Sequence, residues 1–264
     1  MKKIYLIMML FFSIALGTLA QTTDMKSLMK KAKHGDAIAQ NNLGNSYYNG
    51  EGVEKDLTQA VLWYRKAAEQ GVSDAQYNLG YSYYHGEGVE KDLTQAVLWY
   101  RKAAEQGDAD AQYSLGNSYF NGNGVKVDYD EAMKWYMRAA IQGNADAQNM
   151  LGICYSTGKQ GYKDYASSEK WFIKAAEQGH VYAQFNLGAQ YEEDCLYTRA
   201  VIWYKKAAEQ GYAKAQNNLG ALYYYGKGVV KNTTKAKQLW IMSAKQGYEY
   251  AINNLKRFFN YTVR

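Results

Sequence analysis

The sequence has no proline in 264 residues, only three histidines and two cysteines, and no block of like-charged side chains. Because proline breaks or kinks a helix when it lies in the interior, its complete absence favours long helical segments. Two cysteines allow at most one bridge, so a disulfide framework is excluded and packing must hold the fold. His34, His85 and His180 have no ligand-like partner three or four residues further on, so no metal site is predicted.

Motifs for catalysis and for nucleic-acid binding are also missing. The 31 basic and 25 acidic side chains are interspersed, and a net charge of +6 without a basic block fits nucleic-acid binding poorly. S-x-x-K sequences begin at Ser27 and Ser167, but the S-D-N and K-T-G elements of penicillin-recognising serine enzymes do not accompany them. We therefore predict no catalytic residue and no cofactor.

The first twenty residues have the pattern of a secretory signal. Lys2 and Lys3 precede the apolar run Ile4–Leu16, and Thr18–Ala20 places small residues before a cleavage site. The run is short for a membrane span, although an uncleaved anchor is the alternative. We expect cleavage after Ala20 and a mature protein that is periplasmic or secreted, without stable membrane insertion.

A block of 21 residues occurs twice, word for word, at Glu51–Gly71 and at Glu87–Gly107. The 36-residue offset between the copies extends through most of the chain as recurring Leu-Gly pairs, at 43/44, 79/80, 115/116, 151/152 and 187/188, and then at 219/220 after a step of 32. Self-similarity at such a period indicates a helical array in which each repeat buries a face against its neighbours.

One repeat contains two helical patterns separated by a glycine-rich loop. The first helix carries its packing residues on one face: Ala39, Gln40, Leu43, Gly44 and Tyr47. Gly50 is expected to end this helix, and Asp56 is expected to cap the next one. The second helix has its own packing stripe, formed by Ala60, Trp63, Tyr64, Ala67 and Ala68.

The pattern A-Q-x-x-L-G-x-x-Y, then G-x-G-V, D and A-x-x-W-Y-x-x-A-A-x-x-G resembles the Sel1-like repeat, a relative of the tetratricopeptide repeat with longer loops. The resemblance covers about Asp36–Tyr261. It implies an all-α, right-handed α-solenoid of about six 36-residue helix-turn-helix repeats with half-repeat caps. It also implies an interaction scaffold rather than an enzyme.

This interpretation divides the chain into a signal peptide at 1–20, an N-terminal capping helix at 21–35, six repeats at 36–247 and a C-terminal capping helix at 248–264. Two repeats depart from the pattern. Repeat 4 replaces most of its loop with residues 159–162, and repeat 5 lacks four residues, so that residues 191–195 lead almost directly into the next helix.

A candidate binding surface lies opposite the packing face of the first helices. It comprises the positions two before, two after and five after each leucine of the Leu-Gly pairs, and the resemblance places the first helices on the concave side. In repeats 1–3 these positions carry aromatic rings and amides and no charge: Asn41, Asn45, Tyr48, Tyr77, Tyr81, Tyr84, Tyr113, Asn117 and Phe120. Because tyrosine gives rigid contact area and asparagine both donates and accepts, we predict that this surface binds a protein or peptide partner.

Several alternatives stay open. The same rings and amides could fill gaps between first helices, or they could bind a cell-envelope glycan. A disulfide-rich branch of Sel1-like proteins has been linked to β-lactam binding and hydrolysis, but its cysteine pairs within each repeat are missing here. Stacking of repeats could bring Cys154 near Cys195, so one disulfide between them is possible.

Overall fold

The computed structural model describes residues 24–159, 161 and 163–261. The predicted secretory signal and its cleavage site lie outside them. All regular structure in the described residues is helical, which confirms the predicted all-α repeat solenoid. The helices are α1 (24–33), α2 (Ala37–Asn49), α3 (Leu57–Glu69), α4 (Ser73–His85), α5 (Leu93–Glu105), α6 (Ala109–Asn121), α7 (Tyr129–Ile141), α8 (Ala145–Thr157), α9 (Tyr165–Glu177), α10 (Val181–Glu193), α11 (Tyr197–Glu209), α12 (Ala213–Tyr225), α13 (Thr233–Lys245) and α14 (Glu249–Phe259).

The chain forms two compact units, of which unit 1 ends at Trp135 and unit 2 begins at Tyr136, inside α7. In unit 1, consecutive helices from α2 to α6 pack against one another, and in unit 2 the same holds from α8 to α14. Contacts between consecutive elements are the source of stability in a repeat array. None of the helices in the described ranges is long and apolar enough to cross a membrane.

The ends of the helices follow the predicted signals. Gly50 ends α2 in the left-handed conformation, with φ of 80°, and its N–H donates to the carbonyl of Ser46. Asp56 caps α3 by accepting a hydrogen bond of 3.0 Å from the backbone N–H of Gln59. Such caps satisfy backbone groups that a helix cannot pair internally.

The Leu-Gly pairs mark the closest approach between the two helices of a repeat. Leu79 and Leu187 are completely buried. A Cβ on Gly80 would lie 2.7 Å from the Tyr100 ring, and one on Gly152 would lie 2.4 Å from the Phe172 ring. Glycine is needed here for space, because any side chain would displace the aromatic ring of the second helix.

A ladder of buried glutamines explains why a polar residue occupies the packing face. Gln76 donates to the carbonyl of Ala68 at 3.1 Å and accepts from Gln106 at 2.7 Å. In unit 2, Gln184 makes the same two bonds, with Ala176 at 3.0 Å and Gln210 at 2.8 Å. The buried amides are therefore paired, as buried polar groups must be.

The glycine-rich loops of regular repeats pack onto the preceding repeat. Gly88 has φ of 71°, and a Cβ on it would lie 2.1 Å from the carbonyl oxygen of Leu57, the first residue of α3. Repeat 5 lacks this loop: α10 ends at Glu193 and α11 begins at Tyr197, with Cys195 at φ of 58° between them. The start of α9 therefore has no loop glycine packed on it in the described part of the chain.

Candidate partner-binding site

The nine residues predicted to bind a partner lie on α2, α4 and α6 of unit 1, and we call them the first-helix face. Asn41 is buried, with 5% of its surface exposed, and the other eight residues are half-buried. The helical wheel places Asn41 on an open surface, but Asn78 of the next first helix covers it and donates to its Oδ1 at 3.2 Å. Asn41 thus links two repeats instead of facing solvent.

Asn45 is the centre of a small hydrogen-bonded cluster. Its Oδ1 accepts from the Tyr64 hydroxyl at 2.8 Å and from Asn78 Nδ2 at 3.3 Å. These two bonds connect the first helix of repeat 1 to its own second helix and to the first helix of repeat 2. The polar groups are therefore fixed by the fold before any ligand arrives.

Two tyrosines of the first-helix face are tied to the loop of the following repeat. The Tyr48 hydroxyl donates to Glu87 at 2.8 Å, and the Tyr84 hydroxyl accepts from Asn123 Nδ2 at 3.0 Å. The hydrogen bond to Glu87, with burial and the negative charge, raises the pKa of Tyr48 above its ordinary value. Glu87 also brings a charge to a surface whose own helical positions are uncharged.

A cleft of about 220 Å³ opens among α2, α3 and α4, and we call it the tyrosine cleft. Burial raises the pKa of Tyr64 and of Tyr77 above the ordinary value for tyrosine. The lining residues are Asn45, Tyr48, Asn49, Tyr64, Tyr77, Asn78, Tyr81 and Ser82. Four predicted residues thus meet at one site, while Tyr84, Tyr113, Asn117 and Phe120 lie elsewhere on the first-helix face.

Four members of the cleft were not predicted, namely Asn49, Tyr64, Asn78 and Ser82, and two of them bond to Asn45. Tyr64 belongs to the packing stripe of the second helix, yet its hydroxyl reaches Asn45. Asn78 precedes a Leu-Gly pair, and it bridges Asn41 and Asn45. The available signal was the recurrence of asparagine directly before Leu-Gly, at 42, 78, 186 and 218.

Unit 2 has a larger cleft at the equivalent repeat positions, among α8, α9 and α10, with a volume of about 580 Å³. We call it the open cleft. Ser156 and Ala189 occupy the positions that Tyr48 and Tyr81 occupy in unit 1, so two rings are missing. Its lining consists of Ile153, Ser156, Thr157, Lys163, Tyr165, Phe172, Asn186, Ala189, Gln190 and Glu193.

The structure gives no support to the possible disulfide. Cys154 is buried in α8, Cys195 is exposed before α11, and both are free thiols. Burial raises the pKa of the Cys154 thiol to about 11. Over residues 24–159, 161 and 163–261, no three side chains among His, Cys, Asp and Glu form a group that could hold a metal ion.

Comparison with known proteins places this geometry in a family. The family model of the Sel1 repeat matches six consecutive segments, 37–72, 73–108, 109–144, 145–180, 181–212 and 213–248. The crystal structure of a Sel1 repeat protein from Oxalobacter formigenes is 36% identical, with a TM-score of 0.75 over 88% of this chain and 95% of that one.

Two relatives come from Escherichia coli. A protective antigen of uropathogenic strains, with an SLR fold, is 37% identical, with a TM-score of 0.59 over 91% of this chain and 60% of that one. The secretory immunoglobulin A-binding protein EsiB of strain O6:H1 (CFT073) is 42% identical over 69 residues, which are 25% of this chain and 14% of EsiB. The chain therefore spans only part of the length of both. It belongs to the Sel1 repeat family, whose members are in general non-enzymatic scaffolds for protein–protein interaction.

Proposed function

We propose that the protein is an exported, non-enzymatic scaffold that binds a protein or peptide partner on the first-helix face of unit 1. The observation that carries this proposal is the tyrosine cleft, where four predicted residues line about 220 Å³ of open space. Tyrosine and asparagine are the residue types that give adaptable protein-binding surfaces their contact area and hydrogen bonds.

Pre-organisation is the proposed source of affinity. Asn45, Tyr48 and Tyr84 already have their polar groups in hydrogen bonds within the fold. Their side chains therefore lose little conformational freedom when a partner binds, and this loss is one of the main costs of association. The partner would place side chains between the rings, with aromatic contacts supplying most of the binding energy.

Export is proposed from the pattern of residues 1–20, and two relatives are in keeping with it. EsiB is named for binding secretory immunoglobulin A, and the other Escherichia coli relative is named as a protective antigen. Immunoglobulins and protective immunity both act on material that is accessible outside the cell. A scaffold of the same family would meet its partner there.

The test starts with protein purified from the cell envelope, whose N-terminal sequence should begin at Gln21. Crosslinking and mass spectrometry then identify the partner, and its dissociation constant is measured for wild type and for Tyr81→Ala combined with Tyr84→Ala. We expect the double variant to bind at least about thirtyfold more weakly, equivalent to roughly 2 kcal/mol. The matched control is Tyr182→Ala combined with Tyr250→Ala, since these tyrosines are 53% and 69% exposed in unit 2.

A thermal melt of the same samples separates binding from folding. A double variant that unfolds would show that the two rings serve packing. A folded double variant that binds like wild type would place the partner elsewhere. The pair Tyr81→Phe and Tyr84→Phe keeps the rings, and it should retain most of the affinity.

A further inference from the structure

The two irregular repeats of the sequence meet at the open cleft. In regular repeats, the loop of the next repeat packs onto the start of a second helix, as Gly88 does on Leu57. Repeat 5 lacks that loop, and the corresponding start of α9, Tyr165, borders the cleft and is 44% exposed. The deletion therefore exposes a surface that other repeats cover.

The floor of the open cleft is apolar for a specific reason. Ile153 and Phe172 stand at the positions of Asn45 and Tyr64, whose hydrogen bond holds the tyrosine cleft together. Both members of the polar pair are replaced, so no amide or hydroxyl is left without its partner. With Ala189 beside them, the two side chains form an apolar surface.

Buried polar side chains next to this apolar surface hold the cleft in shape. Ser168 and Gln190 are both buried, and the Ser168 hydroxyl lies 2.9 Å from the carbonyl oxygen of Gly152 and 3.0 Å from Gln190 Oε1. Gln190 Nε2 donates to the carbonyl of Tyr165 at 2.9 Å. This bond ties α10 to the start of α9, so the cleft is formed without a ligand.

The rim next to α10 is negative. Glu193 lines the cleft at the end of α10, and Asp194 follows it. Neither carboxylate has an ion-pair partner among the described residues, whereas Glu192 accepts from the Tyr204 hydroxyl at 2.8 Å. The C-terminal end of a helix adds partial negative charge.

The open cleft is also lined by one cation, Lys163, whose Nζ lies 3.4 Å from the Tyr165 hydroxyl. This contact keeps the Lys163 ammonium beside Tyr165, at the start of α9. A ligand with an apolar group over the floor and a cation toward α10 would match both features.

We propose that the open cleft binds a peptide segment in which an apolar side chain neighbours a lysine or arginine. The apolar side chain would rest on Ile153, Phe172 and Ala189, and the cation would pair with Glu193. A volume of about 580 Å³ falls within the range of roughly 300–1,000 Å³ that is typical of ligand pockets, and the tyrosine cleft falls below it. The site is separate from the first-helix face, and its test does not depend on that face.

The probe is a display library of random heptapeptides, selected on the full chain. We expect the enriched clones to share an apolar residue next to lysine or arginine. The variant Ala189→Tyr restores the ring that repeat 2 carries at this position, and it should lower the recovery of those clones by at least about tenfold, or 1.4 kcal/mol. The matched control is Val230→Tyr, which adds a ring outside both clefts at a residue that is 89% exposed and should leave their recovery unchanged.

Glu193→Lys tests the charge at an exposed residue where misfolding is not expected. It should change the preference of the selected peptides from basic to acidic neighbours. The proposal is wrong if wild type enriches no apolar–basic pair, if Ala189→Tyr folds and still recovers those clones, or if Glu193→Lys keeps the basic preference. If Ala189→Tyr does not fold, the Glu193→Lys selection decides alone.

Discussion

The tyrosine cleft and the open cleft stand at the same positions of the repeat, yet their volumes are about 220 and 580 Å³. Rings at Tyr48 and Tyr81 narrow the first cleft, and Ser156 and Ala189 leave the second one wide. Part of the difference thus arises at positions that face away from the helix-packing surface, and part arises from the missing loop of repeat 5. The repeat framework and the chemistry of its clefts are therefore separable.

The framework residues are the same around both clefts. Each cleft has a buried leucine, a glycine under an aromatic ring and a glutamine that bridges two helices. Besides the two rings, the clefts differ in one pair of neighbouring side chains, which is Asn45 with Tyr64 in unit 1 and Ile153 with Phe172 in unit 2. Variation at such positions changes what can bind while the fold is kept.

The largest effect is expected from the shared framework. Leu79→Ala in unit 1 and Leu187→Ala in unit 2 each empty a completely buried position, so each should lower the free energy of unfolding by about 2–5 kcal/mol. Urea denaturation of the two variants measures this. Val230→Ala is the control, because Val230 is 89% exposed and its loss should cost less than about 0.5 kcal/mol. A large loss of unfolding free energy in only one unit would show that the buried leucines of the two units are not equivalent.

The fold could be predicted because its determinants are local and repeated. The roles of Leu43, Gly44 and Gly50 can be assigned from the sequence alone. A buried position favours leucine, a close approach of two helices requires glycine, and a left-handed helix end also favours glycine. The glutamine ladder was harder to foresee. Gln40 is visible as a member of the packing face, but its partner Gln70 is distant along the chain and bonds to it at 2.7 Å.

The candidate site was predictable only in outline. A helical wheel describes one helix, and it therefore treats Asn41 as open although Asn78 of the next helix buries it. Glu87 reaches Tyr48 from a loop, which no helical periodicity reports. The open cleft depends on a missing loop in repeat 5, whose effect appears at Tyr165 in repeat 4.

An intermediate effect on the free energy of unfolding is expected when the residue pairs that distinguish the two clefts are exchanged. Tyr64→Phe removes the hydroxyl that Asn45 accepts from, and it should cost about 0.5–1.5 kcal/mol of stability. In unit 2, Ile153→Asn and Phe172→Tyr should each destabilise alone but show a favourable coupling of about 1 kcal/mol together, because they recreate that bond. A double-mutant cycle in urea measures the coupling. Additive losses would show that the hydrogen bond between the two side chains does not form at positions 153 and 172.

The smallest effect concerns the cysteines of repeats 4 and 5. Burial raises the pKa of Cys154 to about 11, so at about pH 8 its thiolate is scarce and native protein should react at Cys195 alone. A raised pKa stabilises the folded state below the pKa of the unfolded thiol, and this contribution is lost as pH rises through about 11.

Thiol titration with a chromogenic disulfide should find one rapid equivalent in the native protein and two after unfolding without reductant. No thiol after unfolding would mean that Cys154 and Cys195 are bridged. Cys154→Ser should cost less than about 1 kcal/mol, because serines already occupy this repeat position in unit 1. There Ser82 donates to the carbonyl of Asn78 at 2.9 Å, and Ser118 donates to that of Ser114 at 2.9 Å. A larger loss would show that repeat 4 needs an apolar residue at this position, which repeats 2 and 3 do not.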